Sequence, residues 1–244
     1  MTHRWRLIHS GSCSPSWNMA VDEAMFLLAQ QRTQLPTLRL FRWSPAAVSI
    51  GHFQDVNLLE VKEYLQHGYP LVRRPTGGLT VLHDGDLSYS IAGVAGEAGL
   101  SRSPRGLYRQ AHEALQEALS SLGLRPDLYA GGEQRTLAGL CNAVPMRSDL
   151  IVDGETKIAG SAQVRGGGAV LQHGCIHLPA GINQDLFEET VPEAFERAMN
   201  VSLIEAVMSP EETKLAVHLD EHKYSNDEWN FHGRYAEDPE SHSH

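Results

Sequence analysis

The sequence predicts an α/β fold of the α+β kind: a mixed, largely antiparallel central sheet flanked by helices. Three observations carry that expectation. Short β-rich runs follow one another through tight turns at Ser44-Pro45, Asp153-Gly154 and Gly166 to Gly168, the connection typical of antiparallel neighbours. Residues 103–123 repeat apolar side chains at a period near 3.6, which marks a helix laid against a sheet. The 244 residues, 41% of them hydrophobic, suffice for one large core and require no second domain.

Taken in order, residues 4–9 alternate apolar and polar and are expected as a first strand. Ser14-Pro15-Ser16 then opens a helix with Trp17, Ala20, Val21, Ala24, Met25 and Leu28 on one side. Pro36 restarts the chain into 37–43 and 47–51, read as a hairpin closed by Ser44-Pro45. A short helix over 57–67 stops at Gly68, a normal residue just past a helix end, and strands are expected at 70–73, 79–83 and 86–92. Ser103 serves as cap and Pro104 as first helical residue of the long helix, whose stripe is Leu107, Ala111, Ala114, Leu115, Ala118, Leu119 and Leu122. Strands follow at 149–152, 157–165 and 169–178, and helices around 192–199 and 210–222. One domain is therefore expected over 1–222. Residues 223–244, ending in a run of Asp, Glu, His and Ser, are expected as a partly disordered tail.

Composition narrows the function classes. A net charge of −10 and a pI near 5.7 argue against a nucleic-acid binder. No apolar run approaches the ~18 residues that span a bilayer, and the basic start Met1 to His9 lacks the apolar stretch of a secretory signal. Three widely spaced cysteines, Cys13, Cys141 and Cys175, make a poor disulfide framework. Reduced thiols and a cytoplasmic location are expected, with no membrane association. No cysteine or carboxylate set stands at metal-ligand spacing, so the thirteen histidines carry no metal assignment.

Three glycine-punctuated segments hold the candidate chemistry. In the first, Arg73-Arg74-Pro75-Thr76-Gly77-Gly78 leads to His83; paired glycines let a ligand approach the backbone and turn N–H groups toward an oxygen, although a tight turn alone would also use them. The second is Lys157-Ile158-Ala159-Gly160-Ser161-Ala162-Gln163, where a lysine opening a strand of small residues can be desolvated beside a carbonyl or thiol. In the third, His173-Gly174 interrupts an apolar strand just before Cys175 and His177. Cys175 and Cys13 read as structural, the ordinary state of unreactive thiols. Arg102, Arg105 and Arg109, with Arg73 and Arg165, could face an acidic protein or simply solvent.

Together these segments closely resemble the catalytic domain shared by biotin and lipoate protein ligases and octanoyltransferases, over residues 4–200. The resemblance rests on Arg-Arg-x-Thr-Gly-Gly-x-x-Val-x-His-Asp, Lys-Ile-x-Gly-Ser-Ala-Gln and Leu-Gln-His-Gly, with Asp149 and the segment Lys223 to Phe231 also similar. It implies the class II biotin/lipoate ligase-like fold. It also implies that Arg73, Arg74, Thr76, Gly77, Gly78, His83, Gly160, Ser161, Ala162, His173 and Gly174 surround an acyl group, with Lys157 at its carbonyl. Cys141, in the loop before Asp149, is similar to the nucleophile of octanoyltransferases of the LipM type; the turn from Asp153 to Lys157 is one residue longer than theirs. That type implies octanoyl-acyl carrier protein as donor and a lipoyl-domain protein, such as a glycine cleavage H protein or a dehydrogenase E2, as acceptor. No cofactor is implied. ATP and Mg would enter only if the chain were a lipoate or octanoate ligase, the first alternative; a non-catalytic acyl- or carrier-binding relative is the second.

Overall fold

The computed structural model describes residues 2–131, 145–154 and 156–235. Eleven strands are β1 (His3–Cys13), β2 (Thr37–Trp43), β3 (Ala47–Ile50), β4 (Leu71–Arg73), β5 (Val81–His83), β6 (Leu87–Val94), β7 (Asp127–Leu128), β8 (Leu150–Val152), β9 (Thr156–Gly166), β10 (Ala169–Ile176) and β11 (Val201–Glu205). The helices are α1 (Pro15–Gln30), α2 (Leu59–Gln66), α3 (Pro104–Ser121), α4 (Gln184–Met199), α5 (Pro210–Leu219) and α6 (Asp227–His232), with a π-helical turn at Asp220–Tyr224.

Eight strands form one sheet in the order β11-β1-β2-β6-β10-β9-β8-β7, and β4-β3-β5 form a second. β1 runs parallel to both β11 and β2, whereas β2, β6, β10, β9, β8 and β7 pair antiparallel in turn. The mixed, largely antiparallel sheet expected from the turns is thus present. The alternation of each strand sorts its residues between two cores. Leu38 and Leu40 of β2, with Leu87, Tyr89 and Ile91 of β6, meet α3 and α4 on one face; Phe41, Ala92 and Leu171 meet α1 and α5 on the other.

Local signals set the helix starts. Ser14 accepts a hydrogen bond from Trp17 N with Pro15 behind it, and Ser103 accepts from Gly106 N with Pro104 behind it. Helix α5 carries a full capping box, Ser209 and Glu212.

Two expectations are corrected. Residues 37–43 and 47–51 do not form a hairpin: β2 has both edges taken, by β1 and β6, so the turn at Ser44-Pro45 hands the chain from the large sheet to the small one. Nor does folded structure stop at 222. Tyr224 and Trp229 are buried, Lys223 reaches Glu23 of α1, and Asn230 accepts from Arg73 N, so residues 223–235 close over the end of β4. The strand at 201–205 and the first two turns of α4 were not foreseen. Among the described residues no helix is long and apolar enough to cross a membrane.

Candidate active site

Where the small sheet meets the α1 face of the large one, a cavity is lined by Met19, Phe41, Trp43 and Val81 together with polar groups from β6, β9 and β10. Of the residues singled out in the sequence, Arg74, Gly78, His83, Lys157, Gly160, Ser161, Ala162, His173 and Gly174 line it. Cys141 lies outside the described residues.

Lys157 is the charged centre of one wall. Its Nζ stands 2.8 Å from Asp149 Oδ2, with both side chains buried. Asp149 also accepts from Met146 N at 2.6 Å and from the Tyr108 hydroxyl. The lysine can fold back over the strand because residue 160 is glycine: a Cβ there would lie 2.6 Å from Lys157 Cε and 2.7 Å from Nζ. Gly174 has the same logic on the neighbouring strand, since its Cβ would fall 2.3 Å from Ser161 Oγ and 2.8 Å from a Tyr89 ring carbon.

Ser161 belongs to a directed chain of hydrogen bonds beneath this wall. Gln172 Nε2 donates to Tyr89 OH at 2.8 Å, Tyr89 pairs with Ser161 Oγ at 2.7 Å, Ser161 pairs with His112 Nε2 at 2.8 Å, and His112 Nδ1 reaches Ser148 O at 2.5 Å. A carbonyl can only accept, so Nδ1 carries the proton and Nε2 accepts from Ser161. Burial and the nearby Lys157 outweigh the pull of Asp149, and the His112 pKa falls to about 4. The imidazole is neutral, and Ser148 is held beside Asp149.

Two further networks support the opposite side. His173 Nδ1 donates to Asp22 Oδ2 at 3.0 Å while Nε2 accepts from Thr76 at 2.6 Å, and Asp22 is paired with fully buried Arg39 at 2.8 Å. Burial works to raise Asp22, but His173 and Arg39 win and hold its carboxyl below the usual range. In the small sheet, Arg74 donates to Ser49 Oγ at 2.6 Å, Ser49 meets His83 Nε2 at 2.8 Å, and His83 Nδ1 meets Asp86 Oδ2 at 2.9 Å. Trp43 stacks on His83 with ring centroids 3.9 Å apart.

The structure reassigns several sequence-picked residues. Arg73 does not line the cavity: its guanidinium donates to the carbonyls of Gly51, His52, Gln54, Trp229 and Phe231, so it ties the small sheet to the C-terminal segment and is not offered to an acidic protein. Thr76 supports His173 from behind, and Gly77 likewise stands outside the lining. Arg109 pairs with Glu113 at 2.7 Å, and Arg165 donates to Arg102 O and Gln163. Cys175, read as structural, lines the cavity, as do Trp43, Ser49 and Ser88. The ligand atoms of His83, Asp86 and Cys175 lie within 4.8 Å of one another, a proximity that the expectation of no metal-ligand set did not anticipate. Spacing along the chain could not reveal it. The pairing Cys175↔Ser88 between β10 and β6 brings together residues about ninety positions apart. The only local signal was the density of His173-Gly174-Cys175-Ile176-His177.

Residues 14–213 match the model of the lipoyl protein ligase A/B catalytic domain. Octanoyltransferase LipM of Bacillus subtilis is 32% identical, with 93% of this chain and 98% of the relative covered. Octanoyltransferase LipM of Kyrpidia tusciae is 33% identical with the same coverage. Among solved structures, a lipoate-protein ligase A with bound ATP superposes with a TM-score of 0.77 at 25% identity, covering 95% of this chain and 99% of that one. A bipartite lipoate protein ligase from Thermoplasma acidophilum gives 0.75 at 24%, covering 97% and 99%, a likeness of fold.

Proposed function

The chain belongs to the lipoyl protein ligase A/B catalytic domain family, and from that premise we propose that it moves an octanoyl group from an acyl carrier protein to a lysine of a lipoyl-domain protein. The observation that carries this reading is the buried Lys157–Asp149 pair set in the wall of a cavity whose other surfaces include Met19, Phe41, Trp43 and Val81. Such a cavity takes a saturated chain, and the fixed ammonium stands ready for the carbonyl at the chain's end. Full-length similarity to LipM octanoyltransferases supports the same reading.

Cys141 is the proposed nucleophile. Its thiolate attacks the donor thioester carbonyl, the carrier's sulfur departs and takes up a proton, and the octanoyl group rests on the enzyme as a thioester. One thioester replaces another, so the exchange is near thermoneutral and needs no ATP. The acceptor lysine, as the free amine, then attacks that carbonyl; the C–N bond forms, the amine loses a proton, and Cys141 leaves as thiolate. Negative charge on the carbonyl oxygen in both tetrahedral states is what Lys157 and neighbouring backbone N–H groups stabilise. The acceptor class, a lipoyl domain such as that of a glycine cleavage H protein or a dehydrogenase E2, and a cytoplasmic site of action are part of this proposal.

Intact-mass measurement after incubation with octanoyl-acyl carrier protein, without ATP, tests it. The expected product is a hydroxylamine-labile octanoyl adduct that Cys141→Ser abolishes. Transfer that persists in Cys141→Ser and depends on ATP would instead assign a ligase.

A further inference from the structure

Beside the cavity, where β5, β6 and β10 meet, three donors of a different kind converge and a fourth stands next to one of them. His83 ends β5, Asp86 sits in the turn leading into β6, and Cys175 and His177 stand at the end of β10. His83, Asp86 and Cys175 are all buried, with their donor atoms within 4.8 Å of one another. His177 Nε2 lies 3.5 Å from Cys175 Sγ. Asp86 supplies a second, independent observation. Its Oδ2 receives His83 at 2.9 Å and Ser88 at 3.1 Å, but its Oδ1 is buried without a hydrogen-bond partner. A buried carboxylate oxygen without a partner is destabilising, and a bound cation would satisfy it.

We propose that His83, Asp86, Cys175 and His177 bind a divalent metal ion of the zinc class. The donor set is the argument for that class: one thiolate, two imidazoles and one carboxylate suit a borderline ion that accepts sulfur, nitrogen and oxygen together, and exclude the all-oxygen preference of magnesium and calcium. Around an ion with donors at about 2.0–2.3 Å, tetrahedral geometry separates the donors by roughly 3.3–3.8 Å. The Cys175–His177 separation already falls there, and His83, Asp86 and Cys175 draw together from within 4.8 Å. Charge also balances, since one thiolate and one carboxylate neutralise a divalent ion in a buried place. Binding releases one proton, from the Cys175 thiol. The His83 proton moves from Nδ1 to Nε2, where the Ser49 oxygen accepts it, and Nδ1 turns from Asp86 to the ion. Because His83 and Cys175 also line the cavity, the ion would sit in the cavity wall on the β5–β6 side.

Cobalt(II) titration of the chelator-treated full chain tests this through the near-ultraviolet thiolate-to-cobalt charge-transfer band. One equivalent of cobalt should produce the band, and zinc should displace it. Cys175→Ser should abolish it, His177→Ala should weaken binding roughly tenfold or more, and Cys13→Ser and Cys141→Ser should leave it in place. Zinc should also protect Cys175 of the unaltered protein from alkylation, read by peptide mass spectrometry, a result independent of whether any variant folds. Absence of the band in the unaltered protein, its survival in Cys175→Ser, or alkylation of Cys175 at an unchanged rate with zinc would each overturn the proposal.

Discussion

Replacing Asp149 with Asn takes away the carboxylate that faces a buried ammonium while keeping the shape of the side chain. Lys157 is 4% exposed and Asp149 not at all, at 2.8 Å, so solvent cannot take over the lost partner's role. Removing one member of such a pair costs about 3–5 kcal/mol. Part of the Asp149 hydrogen bonding to Met146 N and Tyr108 is lost as well, placing the expected cost toward the upper end. For a chain of this size each kcal/mol moves the melting temperature by about 2–4 °C, so the midpoint should fall on the order of 10 °C or more. Lys157→Met in the same background removes the stranded charge and should restore about 2 kcal/mol or more, because two apolar or neutral groups cost less to bury than one ammonium without its carboxylate. Urea unfolding of the four proteins in the cycle, followed by circular dichroism, measures this coupling directly. Effects of the two substitutions that add to within about 0.5 kcal/mol would show that the pair is not the buried interaction described here.

Protonation of His112 offers a second measurement. Its pKa falls from 6.5 to about 4 on folding, so its contribution is fully present above pH 6.5 and is lost as pH falls toward 4, by about 3 kcal/mol in all. His112→Gln should flatten the stability profile between those limits, and a slope identical to the parent's would contradict the assignment. In Gly160→Ala the new methyl group would lie 2.6 Å from Lys157 Cε, 2.7 Å from Nζ and 3.4 Å from Asp149 Oδ1, so it pushes the ammonium off its buried partner; melting should fall together with octanoyl transfer, the latter by on the order of 100-fold, and unaltered turnover would remove Lys157 from the reaction. Trp229→Ala deletes a buried ring, its hydrogen bond to Arg73 O and its contact with Lys223 Nζ 4.1 Å away, and should cost about 3–5 kcal/mol in chemical denaturation.

Features decided within a few residues were legible in the sequence. Ser103 with Pro104 marks a helix start whatever the rest of the chain does, and the stripe from Leu107 to Leu119 is buried as its period requires. Pairing partners were not legible, because they are settled by competition across the whole sheet. The run 47–50 looks like the return strand of a hairpin until one sees that β1 and β6 have occupied both edges of β2. The same limit governed the site. Lys157, Gly160 and Gly174 could be picked out because motif and position coincide. The neutral state of His112, the burial of Arg73 under the C-terminal segment and the approach of Cys175 to Asp86 all depend on register between distant strands. Cys175 reads as inert packing, the ordinary state of a buried thiol beside apolar neighbours, and only the fold shows which buried thiols border a cavity.

The clasp on Arg73 bears on the order in which the protein assembles during synthesis. Its guanidinium is bound by carbonyls of Trp229 and Phe231, more than 150 positions later in the chain. Synthesis from the N-terminus delivers Arg73 well before the carbonyls that cover it, so β4 emerges with a guanidinium whose final partners have yet to be made. Arg74, next in sequence, lines the cavity, so the C-terminal segment bears on that wall through Arg73 although it does not line it.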